Sequence, residues 1–325
     1  MKMTSLTLHV TTLCLVILCC ESILTSPIRN VSEPLPCVDD ELLLIQAIFR
    51  HGDRTPISLY KTDPYNNYTW TDGLGQLIQR GKARMYHYGQ TLRKRYATYL
   101  DDILLTNIRA QSSPSRRVLE TTLSVLAGTF PPKSSQAWAN NPLAHEWQPI
   151  AVETTEKARA WLLNSDTPCP AAQDIEQKLP KNDPILKKAL EDNADFIDRV
   201  KKATGQTFES WIQMNWVYDA IFSEKNFFGN KFVMPAWLNQ VSNDTYDRLK
   251  MFESLQFSLY GSYPTYLRLR QGLLMNQIIN NFKEAAALET ISAKTKKIFL
   301  YGSHDTFINM VTLTLGYDLG NVLLY

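Results

Sequence analysis

The sequence predicts an α/β fold built on a mostly parallel central sheet flanked by helices. Three observations lead there. A nearly continuous apolar run over residues 42–49 reads as a strand buried on both faces, and it stops abruptly in Arg50-His51-Gly52. A second, strand-like run, residues 297–300, ends in small residues and then His304-Asp305. Between them lie long stretches with apolar residues at three- and four-residue spacing, the signature of helices packed on a sheet.

The 325 residues are enough for one large domain or two smaller ones, with ample material for a core. An apolar fraction of 44% and a charged fraction of 20% are ordinary for a globular protein. A formal net charge of +2 gives no electrostatic case for nucleic acid or an anionic membrane as partner. No internal repeat or low-complexity tract is present.

The first 25 residues read as a secretory signal. Lys2 precedes an apolar run over residues 6–20, and the small residues Ser22, Thr25 and Ser26 follow. Thr11, Thr12 and Glu21 leave the run too short for a membrane span, and no later segment is long and apolar enough to be one. Cys14, Cys19 and Cys20 leave with the signal, so Cys37 and Cys169 remain. An oxidising compartment permits disulfides, but these two need not be partners. Sequons at Asn30, Asn67 and Asn243 fit glycosylation in the secretory pathway.

After the first strand and a loop rich in Tyr, Asp and Asn (residues 60–72), the spacing of Leu77, Ile78, Met85, Tyr88, Leu92 and Tyr96 predicts a helix over 74–99. Its Arg93-Lys94-Arg95 run reads as a solvated face, and His87 as a surface position. A second strand is expected over 103–110 and a helix over 118–127, stopped by Pro131-Pro132. From about Ser134 to Ser262 the pattern turns helical, with candidates at 174–178, 184–204, 207–222 and 243–260. The tryptophans there read mostly as packing residues, with one or two left as candidates to line the substrate entrance. His145 reads as a linker residue, since nothing near it has metal-ligand spacing. A helix over 266–287, the 297–300 strand and a helix over 307–315 complete the chain, the last placing His304 and Asp305 at its N-terminal end.

The chemistry is concentrated at the first strand end. In open α/β sheets ligands bind beyond the carboxyl ends of strands. There Arg50 and Arg54 flank His51, Gly52 permits close backbone approach, and Pro56 fixes the outgoing chain. Guanidinium forks pair bidentately with phosphate oxygens, and an imidazole among them can attack phosphorus.

The strand followed by Arg-His-Gly-x-Arg-x-Pro, with a second histidine in Tyr301-Gly302-Ser303-His304-Asp305-Thr306, resembles the histidine acid phosphatases, the lysosomal and prostatic branch of the histidine phosphatase superfamily. The resemblance runs from about Glu41 to the end. It includes Asp72-Gly73-Leu74-Gly75-Gln76-Leu77 with Gly81, Arg93-Lys94-Arg95-Tyr96, Phe130-Pro131-Pro132, Trp147-Gln148-Pro149-Ile150, Pro235-Ala236-Trp237, and Leu267 with Gly272 and Leu274. It implies a phosphoglycerate mutase-like core from residues 38–134 and 263–325, with residues 135–262 inserted as a mainly helical cap. It further implies a secreted or lysosomal acid phosphatase acting on small phosphomonoesters without metal or cofactor. In that chemistry His51 is the nucleophile, Asp305 the proton donor, and Arg50, Arg54 and His304 hold the phosphoryl oxygens. Cys169, in Thr167-Pro168-Cys169-Pro170, is similar to a family cysteine bonded to a C-terminal segment absent here, which reads as a core missing its C-terminal part. A homodimer is left open.

One departure matters. The family carries Arg-[Ser/Thr]-x-x-x-x-Arg at the end of the second strand. Counting back from Phe130-Pro131-Pro132 matches Arg117 to the second arginine and puts neutral Gln111 at the first. Arg109 lies two residues earlier, on the same strand face and about 6.6 Å away, so it either substitutes for the missing phosphate ligand or is structural, leaving the pocket weakened. Gln111 keeps an alternative in view, a catalytically weakened, phosphatase-like secreted binding protein. A mutase-type phosphotransferase is disfavoured by the leader and by His304-Asp305.

Overall fold

The structure, a computed structural model, describes residues 42–288 and 294–316 together with the backbone of residues 14–18. Asn30 and Cys37 lie outside these residues. In chain order the strands are β1 (Cys14–Leu18), β2 (Leu44–Arg50), β3 (Ile108–Ser112), β4 (Val152–Glu153) and β5 (Lys297–Ser303). They form one sheet in the order β1-β2-β5-β3-β4, and every neighbouring pair is parallel. The register pairs Arg50 with Ser303 and Ser112 with Gly302, so three strands end side by side at one rim. Strand β1 falls inside the stretch read as a leader; its removal after residue 25 would leave β2 at the edge of the sheet.

The helices of the first half are α1 (Gln79–Arg95), α2 (Ala97–Leu100), α3 (Arg116–Thr129) and α4 (Pro142–Glu146). The middle of the chain supplies α5 (Pro170–Asn182), α6 (Pro184–Asp192), α7 (Ala194–Thr204), α8 (Gln213–Phe228), α9 (Trp237–Val241) and α10 (Thr245–Gly261). Helices α11 (Pro264–Ala286) and α12 (Asp305–Thr314) follow. The expected helix over 184–204 is two helices, divided at Asn193, whose side-chain amide donates to Ala189 O. The short β4 lies in the segment read as mainly helical.

Alternation along β2 explains the layering. Ile45, Ala47 and Phe49 face α1 and α3, packing with Met85, Leu92, Val125 and Leu126. Ile48 faces the other way, towards Leu274 and Ile278 of α11 and Phe307, Ile308 and Val311 of α12. This two-sided burial is why the strand reads as a continuous apolar run. Buried Gln46 is satisfied by donating to Ile278 O and accepting from Asn281 and Tyr301. Most of the middle helices gather around a separate apolar cluster including Phe196, Met214, Val217, Tyr218, Ile221, Leu249 and Phe252, which also takes in Tyr60 from the 60–72 loop.

Helix α1 begins five residues later than its spacing predicts. Gly73 and Gly75 adopt φ of 88° and 70°, a left-handed region open to glycine, and turn residues 72–77 back onto the strand-end loop. There Gly75 N–H donates to Pro56 O and Thr55 N–H to Gln76 O. The loop then crosses α1 at a glycine pair. A Cβ on Gly52 would lie 2.7 Å from the Gly81 carbonyl oxygen, and one on Gly81 would lie 2.3 Å from that of Asp53. Two bare backbones are the only way to seat His51 so close to α1.

Candidate active site

His51 leaves β2 with its N–H donating to Ser303 O at 3.1 Å, so the strand register carries over into the site. Its ring is buried. Nδ1 lies 2.9 Å from Gly52 O. A carbonyl can only accept, so Nδ1 carries the proton and the lone pair is on Nε2. Burial, then the charges of Arg50, Arg117 and Arg54, hold the imidazole well below its ordinary pKa. The ring is therefore neutral and nucleophilic in mild acid, where an exposed histidine would be protonated.

The second histidine is seated differently. His304 sits just before α12 with its ring 5.6 Å from that of His51, edge to face. Arg117 Nη2 approaches His304 Nδ1 at 3.4 Å, and Nε2 lies 2.9 Å from Ser113 Oγ. Arginine can only donate, so Nδ1 accepts and Nε2–H donates to Ser113. Burial and then Arg117 push this imidazole down to about 3.

Asp305 opens α12. Its Oδ1 accepts from Thr306 N–H at 2.7 Å and its Oδ2 from Arg50 Nε at 2.8 Å. Burial alone would raise its pKa, but the charge and hydrogen bond of Arg50 outweigh it and bring the carboxyl to about 2. Asp305 is thus held as an ionised partner of Arg50. A bound phosphoryl group on the arginines would place negative charge beside it and favour its protonated form.

The structure assembles three arginines around His51, and one differs from expectation. Arg109 is exposed and pairs with Glu153 at 3.1 Å on the far strand face, while Gln111 beside it bonds Glu153 and Gln277. Residues i and i+2 do share a face, as expected, but that face of β3 points away from His51. The third guanidinium is Arg117, from the first turn of α3, which the sequence motif had already matched to the family's second arginine. Burial and the neighbouring Arg54 lower it to about 10. The loop and α3 are tied together here: Gly52 N–H donates to Thr121 Oγ1, which donates to Arg117 O.

Two guanidinium nitrogens, Nε of Arg54 and Nε of Arg117, are buried with no acceptor among the described residues. A buried N–H left unpaired is costly and calls for an explanation, such as a catalytic role or a bound ion or water. Here both belong to cations beside one histidine, which suits a tetrahedral anion.

Sequence reasoning missed three other residues. Asp219 of α8 grips Arg54, with Oδ1 2.7 Å from Nη2 and Oδ2 3.1 Å from Nη1, and Ser223 Oγ lies 3.2 Å from Nη1. Glu253 of α10 is buried, one of its oxygens has no partner among the described residues, and burial with Asp305 and Asp219 nearby holds it well above the ordinary carboxyl range. All three sit in helices with no local motif to mark them. Among the described residues no group of three or more His, Cys, Asp or Glu could hold a metal ion.

Fold and site together define a parallel-sheet protein with a histidine and three arginines gathered at the carboxyl rim. The family model for the histidine phosphatase superfamily (branch 2) matches residues 41–322, and the chain belongs to that family. It is 33% identical over 282 residues to prostatic acid phosphatase of Bos taurus, covering 85% of this chain and 69% of that protein. Against lysosomal acid phosphatase of Homo sapiens it is 31% identical over 285 residues, covering 86% and 64%. Among solved structures, Hafnia alvei phytase in complex with myo-inositol hexakis sulphate is similar in fold, with a TM-score of 0.56 at 15% identity over 83% of this chain and 73% of that one. Klebsiella sp ASR1 phytase gives 0.55 at 16%, over 83% and 70%.

Proposed function

We propose that this protein is an acid phosphatase that hydrolyses phosphate monoesters through a phosphohistidine on His51. The observation that carries the reading is the neutral Nε2 of His51 set among Arg50, Arg54 and Arg117, two of whose guanidinium nitrogens await an acceptor. The phosphoryl oxygens take up those N–H groups, and the arginines stabilise the charge of the in-line transition state. Nε2 bonds to phosphorus as the ester P–O bond breaks, and Asp305 gives its proton to the departing alcohol oxygen. The Asp305 carboxylate then takes a proton from water. The hydroxide attacks phosphorus, the P–N bond breaks, and neutral His51 and inorganic phosphate result. His304 holds the phosphoryl group by donating its Nε2–H, now on Ser113, to a phosphoryl oxygen.

The relatives named prostatic and lysosomal acid phosphatases support a role in the secretory pathway. So do the basic, then apolar leader and the sequon residues Asn67 and Asn243, which are exposed. Among the described residues no helix is long and apolar enough to cross a membrane. The alternative of a weakened binding protein rested partly on Gln111; against it, Arg117 supplies a third cation beside His51 and His304. Rapid quench with labelled substrate tests the proposal: an acid-labile, base-stable adduct should appear on the peptide containing His51. Turnover with the label on another residue, or with none, would overturn it.

A further inference from the structure

The ion pair between Arg54 and Asp219 joins the catalytic loop to α8, a helix of the separate apolar cluster. Both side chains are largely buried, at 6% and 16% exposure, so the pair is shielded from solvent and from salt. A carboxylate on a phosphate-binding arginine can mean two opposite things. It can occupy the place of the phosphate and be displaced by it, or it can hold the arginine while the phosphate binds.

The edge of the guanidinium decides between them. Asp219 takes the end-on edge, one oxygen on each Nη, and Ser223 and Thr55 O add acceptors to Nη1. The side edge, formed by Nε–H and the second hydrogen of Nη2, stays open, and Nε is the buried nitrogen without an acceptor. A guanidinium can pair bidentately on two edges at once because its five N–H groups lie in one rigid plane. The Arg50 site contrasts with this, since there Asp305 occupies Nε itself. The surroundings also require an anchor for Arg54. Arg50, Arg54 and Arg117 all act on His51, and Arg54 depresses Arg117. Without a counter-charge, mutual repulsion would swing Arg54 away.

We infer that Asp219 is a positioning residue, holding the end-on edge of Arg54 from α8 so that its side edge faces the phosphoryl group, with Ser223 as its auxiliary. This rests on the phosphatase reading and adds to it a requirement that α8 be docked for phosphate to bind.

The test is the dissociation constant of inorganic phosphate, measured by calorimetry on the whole folded protein as wild type, Asp219→Asn and Ser223→Ala, with KM and kcat measured alongside. A charged hydrogen bond of the usual strength sets the scale. Asp219→Asn should weaken phosphate binding about ten- to a hundredfold and raise KM in parallel, with the preference among leaving groups unchanged. Ser223→Ala should weaken binding in the same direction, about two- to fivefold. A merely structural Asp219 would lower the folded fraction and leave the dissociation constant of the folded protein alone; that result, or tighter binding in either variant, overturns the inference. If Asp219→Asn does not fold, Ser223→Ala decides by the same criterion. Wild-type protein that binds phosphate but shows no turnover would remove the phosphatase reading while leaving the positioning role measurable.

Discussion

Arg50 Nε and Asp305 Oδ2 lie 2.8 Å apart, so the group proposed to give up a proton is held ionised by one of the groups proposed to bind the substrate. The two roles are compatible because the phosphoryl group competes for the same guanidinium. Its charge weakens the hold of Arg50 on Asp305 as it arrives. Proton donation is thereby linked to occupancy of the site.

Asp305→Asn should therefore slow alkyl phosphates, whose leaving oxygens are basic, by about 10²–10⁴-fold, the usual contribution of a general acid. Activated aryl phosphates, whose oxygens depart readily, should lose far less. Steady-state kinetics on a leaving-group series measures this, and an equal loss across the series would assign Asp305 a structural role.

Arg117 and Arg109 should separate cleanly. Arg117→Ala removes a half-buried cation beside His51 and His304 and should cost about ten- to a hundredfold in kcat/KM. Inhibition by inorganic phosphate should weaken in parallel. Arg109→Ala breaks only an exposed pair with Glu153 and should change kcat/KM by less than about twofold. A large loss in the second variant with none in the first would reverse the assignment.

Stability should depend on pH through a buried carboxyl pair. Glu224 of α8 is fully buried, and its carboxyl shares a hydrogen bond with that of Asp63 in the 60–72 loop. Burial, then Asp63, raises Glu224 from its ordinary 4.5 to about 9. The folded chain thus keeps a proton that the unfolded chain releases above about pH 4.5. The contribution is fully present below that pH and is lost as pH rises towards 9. His51 and His304, both depressed, act in the opposite sense, since the unfolded chain takes up protons below about pH 6.5. Comparing Glu224→Gln with wild type isolates the carboxyl. The variant's Tm relative to wild type should rise steadily from pH 5 to pH 8, and a difference that does not vary with pH would mean Glu224 ionises normally.

Gly81→Ala should destabilise the fold by about 1–3 kcal/mol, the usual cost of forcing extra atoms into a packed site. The new Cβ would meet the Asp53 carbonyl, which is backbone and cannot swing aside. Activity of the folded fraction should also fall, because relief requires the His51 loop to move off α1. Chemical denaturation and kcat on the same preparation measure both, and a variant as stable and active as wild type would show that the crossing is loose.

The sequence by itself determined the strands that carry the proposed site, and the reason is burial: β2 and β5 read as largely apolar runs, and each ends in residues of that site. Arg50, His51 and Arg54 follow from the first of those ends, and His304 and Asp305 from the second, because local spacing fixes what leaves a strand end. Even Arg117 was within reach, since the motif count had marked it. What misled was strand periodicity, which says that Arg109 and Gln111 share a face but not which face meets the histidine. Only the tertiary structure decided that, by placing α3 over the rim and turning that face of β3 towards Glu153 and Gln277. Asp219, Ser223, Glu224 and Glu253 were illegible for a related reason. On a helix, a polar residue bound for solvent and one bound for a buried arginine look alike until the helix is docked.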